Sequence, residues 1–215
     1  MARIAFIHTV AWLVDEFRKQ VAETLPHADA FHMLDESLLQ DLLARKPVPG
    51  VYRRAVTQIM QAVDAGATRI VMTCSSTSPS VDIARTLTSV PIHKIDDPMA
   101  EKAVRTGQTI GLLCTADSTI QPSTALLHAH AQTLGREVRV VPSLVPHALD
   151  ALTRGDRDRH DELVLRAAQT LGDEADVIVL AQASLARLEP ALNKELKAPV
   201  LASPPLLMDL LRSVH

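Results

Sequence analysis

The sequence has few of the residues on which recognition of nucleic acids and sugars depends. Aromatic residues make up 2% of the 215 residues, so few side chains could stack on bases or sugar rings. The net charge is −3, and the basic residues are not gathered into a cluster that could follow a phosphate backbone. We therefore expect no nucleic-acid partner.

Cysteine and long apolar segments are also scarce. The two cysteines, Cys74 and Cys114, are too few for a disulfide framework, and each ends a predicted strand, which is typical of reduced thiols in a cytoplasm. The longest apolar runs, such as residues 177–181, are much shorter than the roughly 20 residues that a membrane-spanning helix needs. The first residues predict a strand, not a signal peptide. We expect a cytoplasmic protein with no membrane partner.

The motifs of several common site types are missing as well. The sequence contains neither a dinucleotide-binding glycine fingerprint nor a P-loop, and it has no Gly-x-Ser-x-Gly elbow. The nine histidines form no grouping with metal-ligand spacing, and His128 and His130 lie two apart on a predicted helix, so they point in different directions. We expect no metal and no cofactor.

The most informative feature that is present is an internal duplication. Residues 64–79 resemble residues 172–187 at an offset of 108, which aligns Cys74 with Gln182. Residues 3–9 resemble residues 109–115 at an offset of 106, which aligns His8 with Cys114. A period of about 107 residues is far longer than that of solenoid repeats, so each copy is expected to be a small domain.

Short apolar, β-branched runs alternate with helical patterns along both copies. This alternation predicts an α/β fold in which each lobe is a short parallel sheet flanked by helices, with an active-site cleft between two pseudo-symmetric lobes. We assign residues 1–96 and the C-terminal helix 205–215 to lobe one, and residues 97–204 to lobe two. In lobe one we expect a chain break at residues 47–50, a helix over 52–65 and a helix over 79–88. Residues 142–147 of lobe two are read as a loop.

Polar residues cluster where the predicted strands end. They are His8 with Thr9, residues 73–78, residues 114–119 and residues 182–184. Ligands of open parallel sheets bind beyond the carboxyl ends of the strands, where hydroxyls and unpaired backbone N–H groups at helix starts can hold an anion. The lack of phosphate-cradling glycines favours a small carboxylate as the ligand.

Three titratable residues at these strand ends are candidates for acid/base work. Cys74 precedes a predicted helix start, which favours the thiolate over the thiol. Cys114 and His8 stand at matching strand ends in the two lobes and could act as the second group. For each of them a purely structural role is the alternative, because cysteines often fill space in a core and single histidines often serve as hydrogen-bonded structural residues.

Taken together, these segments resemble the aspartate/glutamate/hydantoin racemase superfamily, which also contains maleate isomerases and arylmalonate decarboxylases. The resemblance covers nearly the whole chain. It is carried by the thiol loop at residues 73–77, the strand end at 113–115 followed by residues 119–123, and the stretch 177–184 at the position of the family's second thiol. It implies two flavodoxin-like lobes, a small carboxylate substrate, no cofactor, and a homo-oligomer such as a dimer.

The resemblance also implies roles for individual residues. The family's racemases place one cysteine from each lobe on opposite faces of the substrate α-carbon, and Cys74 matches the first of these. Gln182 stands where the second belongs, which defines a branch with glutamine in that place, whereas the family's decarboxylases keep their single thiol in the second lobe. The implied substrate-binding residues are Thr9, Ser75, Ser76, Thr77, Thr115, Thr119, Gln182 and Ser184.

Three hypotheses follow from this substitution. The protein could be a racemase or isomerase of an amino-acid or hydantoin-like carboxylate, with Cys74 on one face and Cys114 or His8 on the other. It could be a single-thiol decarboxylase or lyase. It could also be a carboxylate-binding protein without catalysis, in which Gln182 only hydrogen-bonds the ligand.

Overall fold

Strands and helices alternate regularly along residues 2–214, which are the residues that the computed structural model describes. The first half of the chain contains β1 (Arg3–His8), α1 (Ala11–Thr24), β2 (Asp29–Leu34), α2 (Glu36–Leu43), α3 (Val48–Asp64), β3 (Arg69–Met72), α4 (Pro79–Ala84), β4 (Ile92–Lys94) and α5 (Asp97–Thr106). The second half contains β5 (Thr109–Cys114), α6 (Ile120–Thr133), β6 (Arg139–Leu144), α7 (Pro146–Thr153), α8 (Arg157–Gly172), β7 (Val177–Leu180), α9 (Glu189–Glu195), β8 (Val200–Ala202) and α10 (Ser203–Ser213). Short 3-10 helices follow three of the strands: Ser75–Thr77, Asp117–Thr119 and Ala183–Leu188.

The strands form two four-stranded parallel sheets with the same topology. The orders are β2-β1-β3-β4 and β6-β5-β7-β8, so β1 and β3 are central in the first sheet and β5 and β7 in the second. In the first sheet Ile7 pairs with both Met33 and Met72, and in the second Leu113 pairs with both Ser143 and Leu180. The predicted fold class, two parallel α/β lobes, is confirmed.

The central strands are apolar because helices cover both faces of each sheet. In the first sheet Ile7 packs with Ile59 of α3 in one buried cluster, and Phe6 on the opposite face contacts Phe17 of α1, with ring centroids 5.5 Å apart. Parallel sheets occur almost only with both faces covered, which explains why these strands read as continuous apolar runs and not as alternating ones. The carboxyl ends of the central strands then lie side by side at one edge, which we call the strand-end edge.

The chain divides into two compact units, each containing one sheet. The first unit comprises the chain up to Ile95 together with the segment from Leu207 onward, and the second comprises Asp96–Leu206. The second boundary between the units, between Leu206 and Leu207, therefore falls within α10. Among the helices of residues 2–214, none combines the length and apolar character needed to cross a membrane.

Several local predictions differ from the structure. The expected break at residues 47–50 is wrong, because α3 already begins at Val48 and accommodates Pro49 in its first turn, where proline costs no hydrogen bond. α4 ends at Ala84 instead of residue 88. Two short helices were not predicted: α2, whose Asp35 cap accepts a hydrogen bond from the Ser37 N–H, and α7, which begins within the expected loop at Pro146. Eight residues give too few periodic positions for a reliable helical pattern.

Close packing at Gly111 of β5 predicts that a side chain cannot be added there. A Cβ atom at this position would lie 2.6 Å from Cγ of Leu171 and 3.2 Å from Cβ of Ala175. We expect Gly111→Ala to lower the free energy of unfolding by about 1–3 kcal/mol, measured by urea denaturation, because the core must shift to relieve the overlap. Gly50→Ala in α3 is the matched control, since nothing lies within 4 Å of its Cβ position. Equal stability of the two variants would contradict this packing.

Candidate active site

Cys74 begins the loop at the strand-end edge of the first unit. It is the N-cap residue of the 3-10 helix Ser75–Thr77, and it is 8% exposed. Its backbone carbonyl accepts hydrogen bonds from the hydroxyls of Thr77 (3.2 Å) and Ser78 (3.1 Å), which fix the loop conformation. The Thr77 hydroxyl also lies 3.3 Å from the sulfur of Met72. Thr77 is predicted to bind substrate, but its hydroxyl donates within the loop.

The structure adds Tyr52 to the predicted residues of this loop. Burial raises the pKa of Tyr52, and the electrostatic effect of Cys74 raises it further, which places the two groups within electrostatic range. The phenol therefore stays protonated and can donate a hydrogen bond. Tyr52 is the only tyrosine of the chain and lies in α3, the helix before β3 and the Cys74 loop. This position in the sequence could have identified Tyr52 as a candidate site residue.

His8 lies at the end of β1 in a buried chain of hydrogen bonds. The Thr73 hydroxyl donates to the carbonyl of Ile7 (3.0 Å) and lies 2.9 Å from Nδ1 of His8, so we assign Nδ1 as a donor to this hydroxyl. Nε2 of His8 lies 2.9 Å from Nδ1 of His32 and acts as the acceptor. Both ring nitrogens of His8 are thus occupied by protein partners. This geometry favours the structural role and leaves no nitrogen to act on a substrate.

Burial also determines the charge state of the two histidines. It lowers the pKa of His8 to about 3, with smaller contributions from His32 and Arg18. It lowers the pKa of His32 to about 4, with Arg18 lowering it further and Asp15 opposing the shift. Both rings are therefore neutral near neutral pH, and they stack with centroids 5.2 Å apart.

In the second unit, the side-chain oxygen of Gln182 accepts hydrogen bonds from several donors at the strand-end edge. Its Oε1 accepts from the backbone N–H of Thr115 (2.5 Å), the hydroxyl of Thr115 (3.0 Å) and the backbone N–H of Ala116 (3.3 Å). Three donors around one oxygen are the arrangement that holds a carboxylate or an oxyanion. Because donors surround one end of the amide, that end is the oxygen, and the NH2 group points away from them. Gln182 is partly exposed as a residue, and it places an amide, not a thiol, at this position.

Cys114 lies in the core of the second unit. It is fully buried in the cluster that contains Leu112 and Val179, with its sulfur 3.9 Å from the carbonyl oxygen of Ser143. Burial raises the pKa of the Cys114 thiol to about 12, and the nearby charge of Asp117 adds to the effect. Such a thiol does not ionise near neutral pH. The geometry therefore favours its structural alternative over an acid/base role.

Two buried hydroxyls stand out among the remaining residues. The side-chain oxygens of Thr9, after β1, and of Ser123, in the first turn of α6, have no hydrogen-bond partner within residues 2–214. A buried hydroxyl without a partner costs free energy unless a ligand or water satisfies it. Thr9 was a predicted substrate contact, whereas Ser123 was not. Thr119 is buried in its 3-10 helix, and Ser184 is partly exposed in the helix after Gln182.

Metal ligands do not converge anywhere in the part of the chain that the structure describes. No group of three His, Cys, Asp or Glu side chains there could hold an ion.

Comparison with known proteins agrees with the sheet topology. A family model described as Asp/Glu/hydantoin racemase matches residues 9–211. A glutamate racemase from Bacillus anthracis superposes with a TM-score of 0.74 at 17% identity, covering 99% of this chain and 81% of that chain. An allantoin racemase from Klebsiella pneumoniae gives 0.68 at 19% identity (100% and 87% covered), and an aspartate racemase from Picrophilus torridus gives 0.71 at 13% (100% and 94%). The sequence has no significant match among curated proteins.

The low pKa values of the His8–His32 pair predict that acidification destabilises the first unit. The unfolded His8 takes up a proton below its ordinary pKa of 6.5, while the native ring stays neutral down to about 3. Stability is therefore fully present above pH 6.5 and is lost as the pH falls toward 3. For His8 alone the loss between pH 7 and pH 5 should be about 2 kcal/mol.

Urea unfolding at the two pH values measures this loss. His8→Phe should show a smaller decrease than the parent protein, whereas a variant of the exposed His27, His27→Asn, should decrease as the parent does. A stability that does not change between pH 7 and pH 5 would refute the neutral buried pair.

Proposed function

The chain belongs to the Asp/Glu/hydantoin racemase family, and we propose that it is a cofactor-independent isomerase that removes and returns a proton at the α-carbon of a small carboxylate. Cys74 is the acid/base of this proposal. The observation that carries it is the placement of Cys74 at the strand-end edge, where its loop is fixed by hydroxyls and Tyr52 lies within electrostatic range. Amino acids and hydantoin-like compounds are the substrate classes that the family suggests.

The chemistry follows from the groups around Cys74. The thiolate takes the α-proton, and the electron pair left behind delocalises onto the substrate carboxylate as an enolate-like dianion. Hydrogen-bond donors aimed at those oxygens stabilise the charge as it develops. In this proposal the hydroxyls of Thr9, Ser75 and Ser76 supply such donors in the first unit. In a racemisation, water then delivers a proton to the opposite face of that carbon, and the proton held by Cys74 is released to solvent.

Gln182 favours a single-thiol variant of this reaction. An amide is neither a useful acid nor a useful base near neutral pH, and neither Cys114, which is buried with a pKa of about 12, nor His8, whose nitrogens are both occupied, offers a second base. A proton that leaves and returns through one thiol returns to the same face of the carbon, which is exchange without isomerisation. The second candidate function is therefore a single-thiol lyase, in which Cys74 protonates the carbanion that a decarboxylation leaves.

Proton exchange tests the role of Cys74. In deuterated water, loss of the α-proton signal is followed by NMR over a panel of α-amino acids, 5-substituted hydantoins and 2-substituted malonates. We expect Cys74→Ser to slow exchange or decarboxylation by at least about a hundredfold, because general acid/base groups contribute factors of about 10²–10⁴.

Cys114→Ala is the matched control and should keep activity within about threefold. If Cys74→Ser retains full activity, the assignment of Cys74 is wrong; if Cys114→Ala abolishes it, the two-thiol alternative is restored. Exchange with inversion supports a racemase, whereas exchange or product formation without inversion supports the single-thiol reaction. Tight binding of a carboxylate with neither outcome indicates a binding protein.

The orientation of the Gln182 amide can be tested separately. In Gln182→Glu, a carboxylate oxygen can still accept from Thr115 and Ala116, so the second unit should keep its melting temperature. The NH2 donors, however, are replaced by a charged oxygen that repels an anionic ligand. We expect the dissociation constant of a bound carboxylate to rise at least about tenfold, measured by calorimetry, which corresponds to about 1.4 kcal/mol. An unchanged affinity would show that this amide does not face the ligand.

A further inference from the structure

We propose that the substrate carries an apolar substituent of aromatic size and no second carboxylate, and that Trp12 and Leu34 of the first unit receive this substituent. This inference rests on the proposed function, because it names the substrate class of the same site. It would set the protein apart in substrate from enzymes that act on glutamate or aspartate, both of which carry a second carboxylate.

The first argument is the position of the two apolar side chains. Trp12 lies in the first turn of α1, and Leu34 is the last residue of β2, paired with His8. Side chains alternate along a strand, so Leu34 shares a face with His32, the residue that contacts His8 on the side covered by α1. Trp12 and Leu34 therefore lie on one face of the sheet at its strand-end edge.

Both side chains are open to solvent at this edge. Trp12 is 49% exposed and Leu34 is 45% exposed. Large apolar side chains grouped at a ligand-binding edge are typical of a surface that an apolar ligand covers. The chain between His8 and Trp12 also contains Thr9, whose buried hydroxyl has no partner within residues 2–214. A donor without a partner beside an apolar surface matches a ligand with one polar and one apolar end.

The second argument is the charge of the same edge. The loops at residues 8–12 and 73–79 contain neither lysine nor arginine. Four basic side chains in or beside neighbouring elements have carboxylate partners: Arg18 pairs with Asp15 (3.5 Å), Lys46 and Arg54 with Asp41, and Lys94 with Asp82 (2.7 Å).

A second substrate carboxylate would consequently lose water without gaining a cation. Neutral hydroxyls and N–H groups can hold one carboxylate, but a desolvated charge without a partner is strongly unfavourable. An apolar substituent meets no such penalty and gains from contact with Trp12 and Leu34. The arrangement of charge and apolar surface thus selects against dicarboxylates.

Binding of two small probes tests the inference without requiring turnover. Phenylacetate carries one carboxylate and an aromatic ring, and succinate carries two carboxylates. Calorimetry on the full-length protein should show phenylacetate binding at least about tenfold more tightly than succinate. Trp12→Ala should weaken phenylacetate binding about tenfold, and Trp12→Phe should restore most of it. Leu87→Ala is the matched control, because Leu87 is equally apolar and 57% exposed but follows the C-terminal end of α4, away from the strand ends.

Introducing a positive charge makes the test sharper. Leu34→Lys introduces a cation on the exposed end of β2, so it should strengthen succinate binding and weaken phenylacetate binding. The inference is overturned if succinate binds as tightly as phenylacetate, if neither probe binds, or if Trp12→Ala and Leu34→Lys leave both affinities unchanged.

Binding that depends on Trp12, together with exchange that does not depend on Cys74, would contradict the proposed function alone. Exchange of aspartate or glutamate that depends on Cys74 but not on Trp12 would contradict the substrate class alone.

Discussion

The parallel pairing of β1 with β3, and of β5 with β7, is the constraint on which the other features of each unit depend. Parallel strands must be connected by helices, the helices cover both faces, and every strand then ends at the same edge as its neighbours. Because the middle residues of the interior strands are apolar, polar chemistry is confined to the strand ends and the residues that follow them. Cys74 in one unit and Gln182 in the other are therefore found at equivalent strand ends, each at the start of a short helical turn.

The two cysteines differ in their electrostatic surroundings. Cys74 follows its strand into a loop of hydroxyls, whereas Cys114 is the fully buried last residue of β5, where removal from water holds its proton. The amide of Gln182 is held by the donors that would otherwise bind an anion. A duplicated fold thus has a thiol after one strand and a neutral amide after the equivalent strand of the other unit. This asymmetry supports the one-thiol reaction among the proposed functions.

Periodicity predicted most of the fold. The offset between residues 64–79 and 172–187 indicated two copies of one α/β unit, and residues 11–24 were predicted as the helix that α1 forms, because its apolar spacing and flanking charges are local properties. The short helices α2 and α7 and the start of α3 at Val48 were missed, since their formation depends on packing and capping, such as the contact between Asp35 and Ser37. In the candidate site, Cys74 and its loop were identified from residue type and position, but Tyr52 lies twenty-two residues earlier in the chain and only the fold brings it into range.

The sequence alone determined the duplication, the α/β class, the strand ends at which chemistry is concentrated and the replacement of a thiol by Gln182, because all of these are encoded in residue identity and spacing. Only the tertiary structure decided which candidates are accessible to a ligand. His8 and Cys114 occupy matching positions in the sequence repeat, yet one is saturated with hydrogen bonds and the other is enclosed in the core. The burial of a group and its hydrogen-bond partners determine its charge state. Because both depend on residues that are distant in the chain, a local sequence pattern cannot predict them.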